Sequence, residues 1–152
     1  DRALEELGGD VQVVATLHAD WLTDKAYNVT TDLINSGTEF NYIFANNDMM
    51  AQGCYNALKD AGKENIPIVS TGGSPDGFKM LQDGIEAANM TAPVSIQGVK
   101  TFMNLYNKVA LSEDPAEKFT ALPVIPVSAD DTSSYIAWDD YAAAYKYLDE
   151  NK

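Results

Sequence analysis

The sequence predicts an α/β fold in which a mainly parallel sheet carries helices on both faces. Short apolar segments alternate with longer amphipathic ones along most of the 152 residues, which is typical of parallel strands joined by helices. Glycine follows several of the predicted helices, where it can end a helix in a left-handed conformation. A chain of this length with 45% hydrophobic residues can also build the core of one domain.

The predicted strands are short, mainly apolar runs. In chain order they cover residues 11–17, 40–45, 66–71 and 85–91. Residues 122–127 are also expected to be extended. They contain two prolines, so we expect either an edge strand or a crossover segment there.

The predicted helices are identified by apolar residues that recur at helical spacing and by their caps. Ser74 suits an N-cap and Pro75 suits the first helical position after it. Asp48 is expected to cap the helix that follows the second strand, because its carboxylate can accept free N–H groups there. The predicted helices are 1–7, a segment from 20–23 to about 36, 49–61, 75–84, 96–111 and 138–148.

The inward faces of these helices follow from the same spacing. Cys54 lies on one of them and is expected to be a buried small hydrophobe. Helix 96–111 carries a wide apolar stripe, which is expected to pack against a partner because a face of that size is rarely left bare. The predicted inward-facing residues are Ala26, Val29, Thr30, Leu33 and Ile34; Met50, Cys54, Ala57, Leu58 and Ala61; Val99, Phe102, Met103, Tyr106, Val109 and Ala110; and Trp138, Tyr141, Ala142, Tyr145 and Leu148.

Composition and charge argue against several classes of function. The net charge is −13 and the ten basic residues are scattered, so the chain lacks the basic face that nucleic acid or an anionic membrane surface requires. With one cysteine, Cys54, and one histidine, His18, the sequence offers no metal-ligand cluster and only a weak case for a nucleophilic pair. The sequence therefore predicts no metal, no cofactor and no catalytic residue.

Polar residues follow three of the predicted strands and form the candidate site. They lie in segments 17–21, 45–48 and 70–73, and parallel strands joined by right-handed connections bring such ends to one edge of the sheet. Trp21 could stack on a sugar ring, although it could also pack over its own helix. Asn47 can donate and accept hydrogen bonds at once, which suits a pair of hydroxyls.

Three further residues complete the candidate site. His18 and Asn46 could line the cleft, although a lone histidine at a strand end is more often a surface residue. Gly72 belongs to a Gly-Gly turn that offers open backbone N–H groups. The turn lacks the spacing and the lysine of a phosphate-binding loop.

The chain resembles the second lobe of the periplasmic sugar-binding proteins of bacterial ABC transporters, of the ribose- and galactose-binding type. The resemblance covers roughly residues 3–128. It rests on Asp20-Trp21 and on the stretches ANNDMMAQG (45–53), ALKDAGK (57–63), IPIV (66–69) and SPDG (74–77).

The resemblance implies a role for two site residues. In the family, an aromatic side chain at the position of Trp21 stacks on the sugar, and an asparagine at the position of Asn47 bonds its hydroxyls. Two positions depart from the family pattern: Gly72 stands where an aspartate is usual, and Ala92 where a polar residue is common. The expected ligand is therefore a small neutral hydroxylated molecule, a sugar or polyol, that differs from an ordinary pentose or hexose.

The resemblance also implies a division of the chain. Residues 1–92 would form the ligand-binding lobe. Residues 93–127 would form a helix and crossover segment that packs on a first lobe, and residues 128–152 a helical tail. The chain opens inside a predicted helix, so we expect a fragment of a longer protein, with the first lobe and any signal segment outside this chain. Without that lobe, the stripe of helix 96–111 is expected to pair two copies into a homodimer.

The leading functional prediction is an extracytoplasmic solute-binding component of an ABC-type sugar uptake or chemotaxis system. Such a protein does no chemistry: it closes its lobes on the ligand and presents the closed form to a membrane permease. One alternative is the effector-binding domain of a LacI-type transcriptional repressor, or an extracellular sugar-sensor domain. Another is an enzyme of the doubly wound class, which no nucleophile, metal cluster or nucleotide loop supports.

Overall fold

Helices and strands alternate along the chain, as the sequence predicts. The computed structural model describes residues 5–6, 11–115, 119 and 121–150. The helices are α1 (Thr23–Asn35), α2 (Asp48–Asp60), α3 (Pro75–Gln82), α4 (Val94–Ala110) and α5 (Tyr141–Glu150); the strands are β1 (Ile43–Ala45), β2 (Ile68–Gly72), β3 (Glu86–Thr91) and β4 (Ile125–Ser128). Glu5 and Glu6 are helical, and the rest of the helix predicted at 1–7 lies outside the described residues.

The four strands form one sheet in the order β1-β2-β3-β4. β1 and β2 are parallel, with Ala45 opposite Ser70, and β2 and β3 are parallel as well. β4 runs antiparallel to β3 and lies at the edge of the sheet. An edge position tolerates Pro126, which cannot donate to a neighbouring strand. The mainly parallel α/β fold is thus confirmed, and segment 122–127 is an edge strand at its C-terminal end.

The strand predicted at 11–17 is absent from the structure. Val11, Val13 and Val14 are 47%, 56% and 51% exposed, and the segment is neither helix nor strand. An apolar run becomes a strand only where a neighbour satisfies its backbone N–H and C=O groups. The sheet of the described residues ends at the three-residue strand β1, and segment 11–17 does not pair with it.

The first core lies between α1, α2 and the sheet. Its buried residues include Ala26, Cys54, Leu58 and Ile68, which confirms the predicted burial of Cys54. Gly53 explains how α1 and α2 approach so closely, because a Cβ atom built there would lie 2.2 Å from the carbonyl oxygen of Thr23. Helix α2 accepts a residue with poor helix propensity in exchange for this contact.

The second core is built by α3, α4, α5 and β4. It contains Leu81, Ile96, Val99, Ile125, Val127, Ile136 and Ala144. The predicted inward face of the last helix was right for Leu148. It was wrong for Tyr141 and Tyr145, which are exposed, whereas Ala143, Ala144 and Tyr147 face this core. The helix begins at Tyr141 rather than at Trp138, and its contacts with α4 select the neighbouring stripe.

Helix α4 belongs to this lobe only at its N-terminal half. Ile96 and Val99 are buried in the second core, whereas Phe102, Tyr106 and Val109 are 60%, 51% and 74% exposed. A helix of 17 residues is about 25 Å long, so its C-terminal half extends past the residues that cover the first turns. The division of the chain at residues 92 and 127 stays a prediction. Within the described part of the chain, none of the helices is both long and apolar enough to cross a membrane.

Candidate functional site

The ends of β1 and β2 meet at one edge of the sheet, as parallel pairing requires. The hydroxyl of Thr71, near the end of β2, donates to the carbonyl of Asn46, which follows β1, over 3.0 Å. A turn closed by a hydrogen bond from Leu22 N to Ala19 O (2.9 Å) lies beside them. The Nδ2 of Asn47 approaches the carbonyl of Trp21 at 3.5 Å. The three predicted segments are therefore brought together.

A cavity of about 230 Å³ opens between this turn and the end of β1. Of the predicted site residues, His18, Trp21 and Asn46 line it, and Asn47 and Gly72 do not. Its wall also contains apolar side chains from α1, β1 and α2, namely Ala26, Val29, Phe44, Met50 and Cys54. The cavity thus combines an apolar floor with a polar rim, a composition common in small-molecule sites.

Trp21 presents its indole to solvent at the rim of this cavity. The side chain is 63% exposed, so it does not pack over its own helix. Asp20 and Trp21 both have positive φ, at 47° and 65°, and this conformation is costly for residues other than glycine. Lys25 donates to the carboxylate of Asp20 over 2.5 Å and so lowers the pKa of that carboxyl. The strained turn holds the ring face open at the sheet edge.

Asn47, and not Asp48, caps α2. The backbone of Asn47 is extended (φ −159°, ψ 167°), and its Oδ1 accepts from Met50 N over 2.7 Å. An N-cap residue needs such an extended backbone, whereas Asp48 is already the first residue of the helix. The prediction that Asp48 is the cap was therefore wrong. Because Oδ1 is engaged and one Nδ2 hydrogen is directed at the carbonyl of Trp21, Asn47 is left with its second Nδ2 hydrogen as a donor toward a ligand.

The carboxylate of Asp48 points into the protein instead. It accepts from Ser74 N at 2.7 Å, Asn89 Nδ2 at 2.7 Å and Ser70 Oγ at 3.1 Å. Ser70 and Asn89 also bond Glu86, which is 0% exposed. Burial raises the pKa of Glu86 to about 7. Sequence reasoning missed this polar cluster. Glu86 and Asn89, two polar residues within the predicted strand 85–91, were a signal for it.

The Gly72–Gly73 turn leaves no room for side chains. Gly72 has φ +133°, and a Cβ atom there would lie 2.8 Å from the Oδ2 of Asp48. Gly73 has φ +73°, and its Cβ atom would lie 2.6 Å from that of Thr91. Both glycines are required by the tight fit as well as by the backbone conformation. A carboxylate at position 72 is thus incompatible with the present position of Asp48.

Two aromatic residues from the segment before α5 secure this turn. Tyr135 donates to the carbonyl of Gly73 over 3.1 Å, and Trp138 Nε1 donates to the carbonyl of Gly72 over 3.4 Å. The ring of Tyr135 stacks on Phe78 of α3 with centroids 3.8 Å apart. The sequence predicted Trp138 as part of a helix face, because nothing local to it reveals a contact 66 residues away.

The family of the chain follows from a comparison with known proteins. A profile of the family described as periplasmic binding protein domain matches residues 1–113. The chain belongs to this family. The resemblance identified from ANNDMMAQG and its flanking stretches is thereby confirmed, together with the fold class that it implied.

Relatives of the chain are named as binding proteins, and a solved structure shares its fold. Ribose import binding protein RbsB of Escherichia coli K12 is 36% identical over 92 residues, which is 59% of this chain and 31% of that protein. The xylitol-binding protein of Mycolicibacterium smegmatis is 37% identical over 76 residues, 49% of this chain and 22% of that protein. An ABC transporter solute-binding protein from Bacillus halodurans C-125, solved with bound myo-inositol, superimposes with a TM-score of 0.78 at 22% identity. That superposition covers 95% of this chain and 47% of the other.

The periplasmic binding domain described here thus spans less than half the length of the proteins that it matches. Its relatives are named as binding proteins rather than enzymes, and the site offers binding groups rather than reacting ones. Burial raises the pKa of the Cys54 thiol, which disfavours the thiolate that a nucleophile needs. Among the described residues, no three His, Cys, Asp or Glu side chains converge as a metal site would require.

Proposed function

We propose that this chain is one lobe of the solute-binding component of an ABC-type sugar uptake system, and that it binds a small neutral sugar or polyol. The observation that carries this proposal is the juxtaposition of an open indole face, Trp21, with the Nδ2 donor of Asn47 at one sheet edge. The names of the relatives support it, since they include a ribose import binding protein and a xylitol-binding protein.

The proposed contacts divide the ligand into an apolar face and a polar edge. The C–H face of the ring stacks on Trp21, while Nδ2 of Asn47 donates to a hydroxyl oxygen. His18 and Asn46 line the cavity together with Trp21 and provide further polar contacts, while Asn47 lies beside it. Gly72 contributes backbone only, so this position supplies no carboxylate to bond the hydroxyls of the ligand.

The charges around the cavity favour a neutral ligand. Asp20 is the acidic residue of its lining, and that carboxylate is paired with Lys25. The lining contains no lysine or arginine that could hold a carboxylate or phosphate. A charged solute would therefore lose hydration without gaining a partner of opposite charge.

The remaining partners follow from the same proposal. The working protein would close two lobes on its ligand outside the cytoplasm and deliver it to a membrane permease. In this proposal the first lobe lies outside this chain. Without it the ligand is half exposed and loses much of the burial that a complete cleft provides.

In the absence of a first lobe, two copies of this chain would pair through α4 as a homodimer. The apolar stripe of Phe102, Leu105, Tyr106 and Val109 is exposed in the described structure. These residues recur at the three- and four-residue spacing of one helix face. A second copy would cover the same stripe on both chains at once.

The proposal is tested by titration calorimetry with a panel of solutes, using a protein that joins this chain to its first lobe. The panel contains ribose, D-allose, xylitol and myo-inositol, with gluconate and ribose 5-phosphate as charged controls. A neutral member is expected to bind at micromolar concentration, and the chain alone at millimolar concentration or not detectably. Preference for a charged control, or micromolar binding by the chain alone, would contradict the proposal.

A further inference from the structure

The buried cluster behind the sheet edge contains two carboxylates that share their hydrogen-bond donors. Ser70 Oγ lies 3.1 Å from Oδ1 of Asp48 and 2.9 Å from Oε1 of Glu86. Asn89 Nδ2 lies 2.7 Å from Asp48 Oδ1, 2.8 Å from Ser70 Oγ and 3.0 Å from Glu86 Oε2. All four side chains are buried, so the cluster has to satisfy its polar groups internally.

The available hydrogens do not satisfy this cluster when both carboxylates are ionised. Ser70 has one hydroxyl hydrogen and can donate it to Asp48 or to Glu86, but not to both. The other oxygen would then face Ser70 Oγ at about 3 Å with no hydrogen between them. One added proton removes the conflict: Glu86 Oε1 donates to Ser70, and Ser70 donates to Asp48.

The surroundings decide which of the two carboxylates carries the negative charge. The second oxygen of Asp48 accepts from Ser74 N, and Asp48 lies in the first turn of α2, where the helix dipole favours an anion. Gly77 in the first turn of α3 also packs directly against this carboxylate. Glu86 has no backbone donor among these contacts, and its hydrogen bonds are with the side chains of Ser70 and Asn89 alone. The charge therefore belongs on Asp48 and the proton on Glu86.

We propose that Glu86 holds a proton in the folded protein at mildly acidic pH and loses it as the pH rises through neutrality, and that this proton positions the Gly72–Ser74 turn at the ligand edge through Ser70 and Asp48. Glu86 is thus a positioning residue, since it touches Asp48 only through its neighbours. Loss of the proton leaves two negatively charged carboxylates, Asp48 and Glu86, facing the same buried hydroxyl of Ser70. Asp48 also anchors Ser74 N and packs against Gly72, so the repulsion is transmitted to the turn.

The groups around Glu86 agree with this assignment. Burial is the largest cause that raises the pKa of Glu86 to about 7; the hydrogen bonds of Asn89 and Ser70 oppose it, and the charge of Asp48 adds to it. Tyr135 faces Asp48 across the turn, and burial, together with the charge of Asp48, raises its pKa as well. On α3, the amine of Lys79 is paired with Asp83 at the surface, and β4 has no ionisable side chain. No cation in these elements compensates a charge on Glu86.

The direction of the pH effect follows from the raised pKa. Between the ordinary value of 4.5 and about 7, the folded state holds a proton that the unfolded state has released. The stabilisation is complete below 4.5 and is lost as the pH rises through 7. An environment more alkaline than pH 7 is therefore expected to loosen the turn.

Carboxyl-carbon NMR of the isotopically labelled chain between pH 4.5 and 8.5 tests the inference without any ligand, separately from sugar binding. The Glu86 carboxyl is expected to titrate with a midpoint near pH 7, and the amide of Ser74 is expected to shift with the same midpoint. In Glu86→Gln the Ser74 transition should disappear, whereas the exposed control Glu64→Gln should retain it.

Two results would overturn the inference. One is a Glu86 midpoint near 4.5 in the wild-type chain. The other is a Ser74 transition near pH 7 that persists in Glu86→Gln. If Glu86→Gln does not fold, the wild-type titration decides alone: coincident midpoints for Glu86 and Ser74 support the inference, and separate midpoints contradict it.

Discussion

Single residues at the sheet edge serve the fold and the site at the same time. Asn47 caps α2 with its Oδ1, and in the proposed site its remaining Nδ2 hydrogen would bond the ligand. Gly72 gives the turn its positive φ and makes room for the carboxylate of Asp48. A substitution at either position therefore changes stability and binding together, whereas Trp21, which is exposed, is expected to affect binding alone.

Trp21→Ala should weaken sugar binding more than His18→Ala in a protein that contains both lobes. Loss of a stacked aromatic face is expected to cost roughly 1–3 kcal/mol, or about a 5- to 150-fold rise in Kd. The melting temperature should change little, since the indole is 63% exposed. Calorimetry and thermal unfolding measure the two effects, and an unchanged Kd for Trp21→Ala would remove the stacking role.

Gly72→Ala should destabilise the chain more than Gly84→Ala. Both glycines have positive φ, at +133° and +71°, but only Gly72 has a neighbour, the carboxylate of Asp48, within contact distance of an added Cβ. Gly84→Ala is expected to lower the free energy of unfolding by on the order of 1 kcal/mol through backbone strain alone. Gly72→Ala is expected to lower it by about a further 1–3 kcal/mol, because the added Cβ also displaces the carboxylate of Asp48. Urea unfolding compares the two; equal losses would mean that Asp48 moves aside freely.

Among the elements, the pair α1 and α2 depends on one close approach. Gly53 permits it, because the backbone of Thr23 lies where a side chain would be. The hydroxyl of Thr30 also reaches the sulfur of Cys54 at 3.3 Å across the same interface. This packing places the N-terminus of α2, with Asn47, beside the Trp21 turn that precedes α1.

Gly53→Ala should destabilise the chain although alanine is the better helix former. The added Cβ meets a backbone oxygen at 2.2 Å, so the helices have to separate at a cost of about 2 kcal/mol or more. The matched control is Gly98→Ala in α4, where an added Cβ meets nothing within 4 Å and a gain of about 0.5–1 kcal/mol is expected. If both variants are stabilised in chemical unfolding, the tight contact between α1 and α2 is refuted.

At the scale of the whole molecule, the C-terminal half of α4 presents an apolar surface that no other described element covers. The exposed stripe of α4 continues a helix whose first turns are buried in the second core. Apolar side chains at i, i+3, i+4 and i+7 are rarely left in water over such a length. In the proposed two-lobe protein, the first lobe would pack against these side chains. In the isolated chain, a second copy would have to bury them instead.

The isolated chain is expected to be a dimer at micromolar concentration, as measured by light scattering. Phe102→Glu together with Val109→Lys should give a monomer without lowering the melting temperature of the lobe by more than a few degrees, because both residues are exposed. A wild-type monomer in which the amides of α4 remain protected from hydrogen exchange would contradict pairing through this stripe.

The sequence alone predicted the α/β class, most helices and strands, and the family. These rest on short-range signals: apolar periodicity, the Ser74-Pro75 helix start and the stretch ANNDMMAQG. Such signals depend on residues that are close together in the sequence, so distant contacts change them little. Parallel pairing of β1 and β2 brings Asn46 to the sheet edge, as the alternation of strands and helices implies. His18 and Trp21 reach the same cavity without a strand at 11–17, through the turn that precedes α1.

Tertiary structure decided what depends on distant contacts. The run at 11–17 has strand composition but does not join the sheet of the described residues. Trp138 leaves its expected helix face to bond the carbonyl of Gly72. Asp48 turns inward because Ser70, Ser74 and Asn89 surround it, so the cap falls to Asn47. Residues up to 41 positions apart build the cluster around Glu86. A local pattern cannot predict it, because its energy comes from hydrogen bonds and burial that exist only once the chain has folded.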